Sequence, residues 1–246
     1  MKVIVCKNYE EVSKTASKIF INLINEKPDA KIGFATGSTP IGIYKDLVDA
    51  YRRNDVSFQD VETYNLDEYC NLEKNDPQSY YTFMHNNLFD LVDLKEENIH
   101  MPSAFDGNFD EHCKAYNSLL NSVEIDLQLL GIGGNGHIGF NEPYTNFSNE
   151  TFIVKLTDET RNDNARFFGS IEKVPTHAIT MGISNILRAK KIILVASGSN
   201  KALAIYNLLY VNKDTKYPQT SLQDHKDVVV IVDECAASKL KREDIL

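Results

Sequence analysis

Within the stretch from Asp126 to Pro143, DLQLLGIGGNGHIGFNEP, an apolar run feeds a glycine turn. The loop then presents Asn135, His137, Asn141 and Glu142 within eight residues. Histidine exchanges protons near neutral pH, and a nearby carboxylate favours its charged form. Asn135 and His137 are two apart, so in an extended loop their side chains point the same way. Asn135 is therefore expected to orient His137, with Glu142 stabilising the imidazolium. A second turn, Thr36-Gly37-Ser38-Thr39-Pro40, offers hydroxyls and free N–H groups at the amino end of a helix, a setting that favours an anion. No lysine follows Gly42, so it is not a Walker loop. Lys201 and Arg166 are the cations expected to complete the anion site. Asp67 and Glu68 follow a short strand. Adjacent side chains in extended backbone face opposite sides, so the two cannot work together as a glycosidase pair. One of them is expected to face the crevice, and spacing alone leaves open which. The chemistry implied is proton transfer on a small phosphorylated molecule.

Other readings of the same residues are weaker. Gly131 to Gly136 matches G-x-G-x-x-G after a strand, but the chain continues through His137 to Pro143 without helical periodicity. A dinucleotide site needs a helix there. Tyr80 to Met84 reads as core helix. His85, His100, His112, His177 and His225 have no partner at i+2 or i+4, and Cys6, Cys70, Cys113 and Cys235 form no CxxC pair. Neither a metal site nor a disulfide framework is expected, and reduced thiols fit a cytoplasmic protein.

The elements that must position these residues follow from periodicity. Strands are predicted at 2–6, 31–36, 62–65, 126–130, 190–196 and 227–232. Helices are predicted at 9–25, from Pro40 with Thr39 as N-cap, and at 78–88, 110–122 and 199–209. The first helix carries Val12, Ala16, Ile19, Phe20, Leu23 and Ile24 on one face. KKIILVA and DVVVIV are continuous apolar runs, as in parallel strands buried on both faces. Strand–helix alternation implies an α/β fold: a doubly wound, mostly parallel sheet flanked by helices, Rossmann-like, with ligands at the carboxyl ends of the strands. The segment 150–177 is polar, with Arg161, Asn162, Asp163, Asn164 and Arg166, and is expected to form a lid.

With 246 residues, 42% hydrophobic and 25% charged, the chain reads as one soluble domain, 1–246. A formal charge of −9 argues against nucleic acid or an anionic membrane surface as partner. No apolar run approaches the roughly 20 residues of a membrane helix, and the N-terminus turns acidic too early for a signal peptide. A cytoplasmic location is expected.

ATGSTPIGIY, YNLDEYCNL, LGIGGNGHIGFNEP, HAITMGI and ASGSNKALA resemble, in order, the motifs of the glucosamine-6-phosphate deaminases. The resemblance spans essentially the whole chain, and GHIGFNEP is its most specific part. It implies a doubly wound α/β domain converting glucosamine 6-phosphate and water to fructose 6-phosphate and ammonia, with no metal or organic cofactor. It implies that Asp67 is the base that moves a proton from C2 to C1. His137 would assist ring opening, tuned by Glu142 and Asn135. Thr36, Gly37, Ser38, Thr39, Arg166 and Lys201 would hold the phosphate. Some members have Asp where this chain has Asn135, which implies a less elevated imidazole pKa. Hexameric, effector-activated members carry basic residues where this chain has Phe152 and Val154, and extend beyond the position of Leu246. The resemblance therefore implies a monomer or small homo-oligomer without activation by N-acetylglucosamine 6-phosphate. The alternatives are a 6-phosphogluconolactonase-like hydrolase and a non-catalytic sugar-phosphate sensor. A sensor would be expected to lose Asp67 or His137, and both are present.

Overall fold

The computed structural model describes residues 1–105 and 107–241, apart from the side chains of Glu159, Asp163 and Phe167; Asp163 of the expected lid and the terminal Leu246 thus lie outside the description. Seven parallel strands form the main sheet: β1 (Lys2–Cys6), β2 (Lys31–Phe34), β3 (Glu62–Asn65), β5 (Ile99–His100), β6 (Leu127–Leu130), β9 (Lys191–Ala196) and β10 (Val228–Asp233). Their order is β1-β10-β9-β6-β2-β3-β5. The crossovers include α1 (Tyr9–Glu26), α2 (Ile41–Arg52), α4 (Phe109–Ser122) and α7 (Ala202–Tyr210). From β2 the chain moves outward through β3 to β5; from β6 it moves the other way through β9 to β10. The direction of winding therefore reverses between β2 and β6, where the loops beyond the two carboxyl ends diverge and leave a crevice.

The apolar runs lie where their composition requires. Every residue of β10 is buried, as are five of the six in β9. On α1, Val12, Ala16, Phe20 and Ile24 are buried, with Ile19 and Leu23 partly so. Asn8 caps this helix, accepting from Glu11 N at 3.0 Å. The α2 start differs from expectation. Thr39 is not its cap; Pro40 holds that position without a side-chain hydrogen bond. Tyr9, from α1, supplies the oxygen instead: its hydroxyl accepts from Gly42 N at 2.8 Å and lies 3.2 and 3.0 Å from the carbonyls of Ser38 and Thr39.

A second sheet was not predicted. β4 (Asp67–Tyr69), β8 (His177–Thr180) and β7 (Phe152–Lys155) form an antiparallel three-stranded sheet in the order β4-β8-β7. β3 leaves the main sheet at Asn65 and enters this one at Asp67, which pairs with Thr180. The segment expected as a lid is built from β7, the helix α5 (Asp158–Phe168) and a short 3-10 turn. Two further helices are α3 (Tyr80–Asn87), shorter than predicted, and α6 (Ile183–Ile186). Among the described residues no helix is long and apolar enough to cross a membrane.

Candidate active site

The loops after β2 and β6 meet β4, α3, α5 and the turn before α7 around one open cleft. Thr36, Gly37, Ser38 and Thr39 line it, together with Asp67, His137, Arg166 and Lys201. Eight of the ten residues singled out from the sequence thus share one crevice at the winding reversal.

Each wall is pinned from behind. The Tyr44 hydroxyl, fully buried on α2, donates to the Ala35 carbonyl just before the Thr36–Thr39 turn. The Tyr116 hydroxyl donates to the Asn65 carbonyl at 2.7 Å, and Met181 N donates to the Leu66 carbonyl at 2.7 Å, fixing the backbone that delivers Asp67. Asn141, fully buried, donates to the carbonyls of Ile138 and Met181, both at 2.9 Å. It is a structural tie between the glycine loop and the end of β8.

Asp67 and Glu68 divide as the extended backbone requires. Asp67 faces the cleft. Glu68 points away and accepts three backbone N–H bonds, from Tyr69 at 2.8 Å and from Tyr80 and Tyr81 at 2.9 Å, at the amino end of α3. Burial, and secondarily the neighbouring Glu68 charge, raises the Asp67 pKa from 3.8 to about 8. Burial also raises Glu68, opposed by its three N–H bonds.

The glycine loop is shaped around His137. A Cβ on Gly133 would sit 2.3 Å from the imidazole Cε1, so only glycine lets the ring lie against this backbone. Gly136 has φ of 93°, a left-handed conformation that favours glycine. Glu142 Oε2 lies 3.7 Å from His137 Nδ1. Asn135 reaches His137 through the main chain. Its Oδ1 accepts from the His137 backbone N at 3.1 Å, and its Nδ2 donates to Glu142 Oε2 at 3.1 Å. These two bonds tie it to the main chain at His137 and to the carboxylate. Asn135 and Glu142 stand behind the histidine, outside the cleft lining.

Three polar lining residues have no binding role in the sequence-based expectations: Tyr80, Thr160 and Asn164, the last expected only as part of the lid. Tyr80 does pack against the core, its ring against Tyr69 and Phe140, but unlike the fully buried Met84 it also lines the cleft. The four-residue spacing of Thr160 and Asn164 on α5 is the signal that both share one helix face. Among the described residues no group of three or more His, Cys, Asp or Glu side chains is arranged to hold a metal ion, and the four cysteines are free.

A switch-point cleft with a buried carboxylate, an imidazole and a hydroxyl-rich turn admits several chemistries, and comparison with known proteins narrows them. The family of glucosamine-6-phosphate isomerases/6-phosphogluconolactonase matches residues 7–231. The chain belongs to the glucosamine-6-phosphate isomerase/6-phosphogluconolactonase family. Within that family, the glucosamine-6-phosphate deaminase of Clostridioides difficile is 49% identical over 245 residues, 99% of this chain and 98% of that protein. The one from Thermoanaerobacter pseudethanolicus is 48% identical over 246 residues, covering 100% and 97%. A solved structure of a monomeric glucosamine-6-phosphate deaminase superposes with a TM-score of 0.95 at 45% identity, covering 97% of this chain and 99% of that one. A 6-phosphogluconolactonase from Trypanosoma cruzi, 19% identical, gives a TM-score of 0.79 over 98% and 97% of the two chains and shares the fold.

Proposed function

We propose that this chain converts D-glucosamine 6-phosphate and water to D-fructose 6-phosphate and ammonia. The observation that carries the reading is the shared cleft: one buried carboxylate, one imidazole and an anion loop face a single space.

The phosphoryl group sits on the Thr36–Thr39 turn, where backbone N–H groups at the start of α2 and the Arg166 and Lys201 cations oppose its charge. His137 exchanges the protons of the anomeric hydroxyl and ring oxygen as the C1–O5 bond opens, with Glu142 favouring the imidazolium. Asp67 then removes the C2 proton and returns it to C1. The raised pKa suits this task, because a more basic carboxylate takes a carbon-bound proton more readily. The resulting C2 iminium adds water and releases ammonia. Segment 150–177, through α5, closes over bound substrate and keeps the transferred proton from exchanging with bulk water.

The protein works on a small-molecule substrate in the cytoplasm as a monomer or small homo-oligomer, with no nucleic-acid or membrane partner. The net charge of −9, the free cysteines and the monomeric deaminase neighbour support this. Phe152 and Val154 replace cations with apolar side chains, so N-acetylglucosamine 6-phosphate leaves the substrate curve unchanged; a curve that turns from sigmoidal to hyperbolic with it contradicts the reading.

The test is direct. Purified protein with glucosamine 6-phosphate yields ammonia and fructose 6-phosphate in equal amounts, and Asp67→Asn abolishes both. Turnover of 6-phosphogluconolactone without ammonia release, surviving in Asp67→Asn, refutes the proposal, since lactone hydrolysis involves no carbon acid.

A further inference from the structure

Thr160 lies in the first turn of α5, is 2% exposed, and is absent from every motif that the sequence reading singled out. A threonine at this position ordinarily serves the helix start. Here Thr157 does that: it is the N-cap, and its Oγ1 accepts from Thr160 N at 3.2 Å. The Thr160 hydroxyl is thereby left for another purpose. It donates to Glu142 Oε1 and lies 3.1 Å from the Thr157 hydroxyl. The Thr157 hydroxyl is also 3.4 Å from the same Glu142 oxygen.

The two oxygens of Glu142 therefore have separate anchors. Oε1 is tied to the first turn of α5, while Oε2 takes the Asn135 amide and faces His137 Nδ1. Fixing both oxygens fixes the plane of the carboxylate, and with it the direction from which negative charge reaches the imidazole. The charge also sits at the amino end of α5, where the helix dipole favours it. Besides Glu142, the titratable groups that share the cleft with His137 are Asp67 from β4, Tyr80 from α3, Arg166 from α5 and Lys201 from the turn before α7.

We propose that Thr160 is a positioning residue for the proton transfers at His137, acting through Glu142. The inference rests on the deaminase reading above. Without the hydroxyl, Oε1 keeps only the long contact to Thr157, the plane of the carboxylate is no longer fixed, and its charge is held less closely against the imidazolium.

The test uses Thr160→Val, which keeps the shape and removes the donor, with Thr160→Ser as the conservative control. The His137 titration is followed by NMR, assigned by its disappearance in His137→Asn. Thr160→Val is expected to lower the His137 pKa. It should also reduce kcat about tenfold or more, a fraction of the roughly 100-fold or larger contribution of a positioned acid–base group. KM for glucosamine 6-phosphate stays within about twofold, because the phosphate contacts are untouched. Thr160→Ser restores both the titration and kcat. A His137 titration unchanged or raised in Thr160→Val overturns the proposal whatever the rate does. So does a loss confined to KM, which would mean that Thr160 only docks α5. If the valine variant does not fold, Thr160→Ala carries the same comparison. Absence of ammonia release by the unaltered protein refutes the deaminase reading instead, and the histidine titration still decides the role of Thr160.

Discussion

Asp67→Asn should abolish turnover and make the protein more stable, by an amount that grows with pH. Folding raises the Asp67 pKa from 3.8 to about 8, mainly through burial and then through the Glu68 charge. A folded-state pKa above the unfolded one means that the folded protein holds a proton that the unfolded chain releases. The stabilisation from that proton is complete below the unfolded value and is lost as pH rises through the folded value. Between 3.8 and about 8 the loss is bounded at roughly 6 kcal/mol, each pH unit contributing about 1.4. Asp67 lines an open cleft, so water hydrates part of the charge and screens the rest. Some 1 to 2 kcal/mol of the loss has already accrued by about pH 5, and roughly 2–4 kcal/mol remains for the interval from pH 5 to pH 9. Asparagine carries no such charge. Urea unfolding of both proteins at about pH 5 and pH 9 should therefore show the variant's advantage widening by roughly 2–4 kcal/mol, or several degrees in Tm at this chain length. A stability gap that stays constant across that range would refute the assignment of a strained, desolvated base at this position. An unaltered protein that gains stability on the way to pH 9, relative to the variant, would reverse its sign.

Because the base acts only when ionised, kcat/KM should climb about tenfold per pH unit on the acid side and level off near the folded Asp67 pKa of about 8, read from initial rates of ammonia release. A plateau beginning near pH 4 would mean an unperturbed carboxylate. Gly133→Ala should cut kcat/KM by about 100-fold or more while costing roughly 1–3 kcal/mol of stability, since the added methyl would lie 2.3 Å from the His137 ring and displace it from Glu142. Steady-state kinetics beside a denaturation curve would separate the two effects. Tyr9→Phe removes the oxygen that receives Gly42 N and the hydroxyl facing the Ser38 and Thr39 carbonyls. We expect a loss of about 1 kcal/mol in thermal denaturation and a several-fold rise in KM as the anion loop loosens, with kcat nearly unchanged.

Local chemistry made much of this protein legible in its sequence. Apolar runs with no polar alternation mark β9 and β10 as strands covered on both faces. The face carrying Val12, Ala16, Phe20 and Ile24 marks α1, and a glycine turn after each central strand marks the carboxyl ends where a ligand sits. These signals are periods and turns, readable within a dozen residues. The second sheet left no such trace. β4 spans three residues, too few to show a period, and its partner β8 lies about 110 residues further along the chain. The cap of α2 was misplaced for the same reason: Thr39 had the right type nearby, but the Tyr9 hydroxyl arrives from another helix, 33 residues earlier than the Gly42 N–H it receives. Alternation along an extended chain required that Asp67 and Glu68 part ways. Which of them met the cleft depended on where the amino end of α3 came to rest, because its N–H groups took Glu68 and left the other carboxylate desolvated and basic. Residue types and spacing settled what chemistry was available; burial and distant partners, which exist only after the chain has closed on itself, decided which groups face the cleft and how strongly each holds its proton.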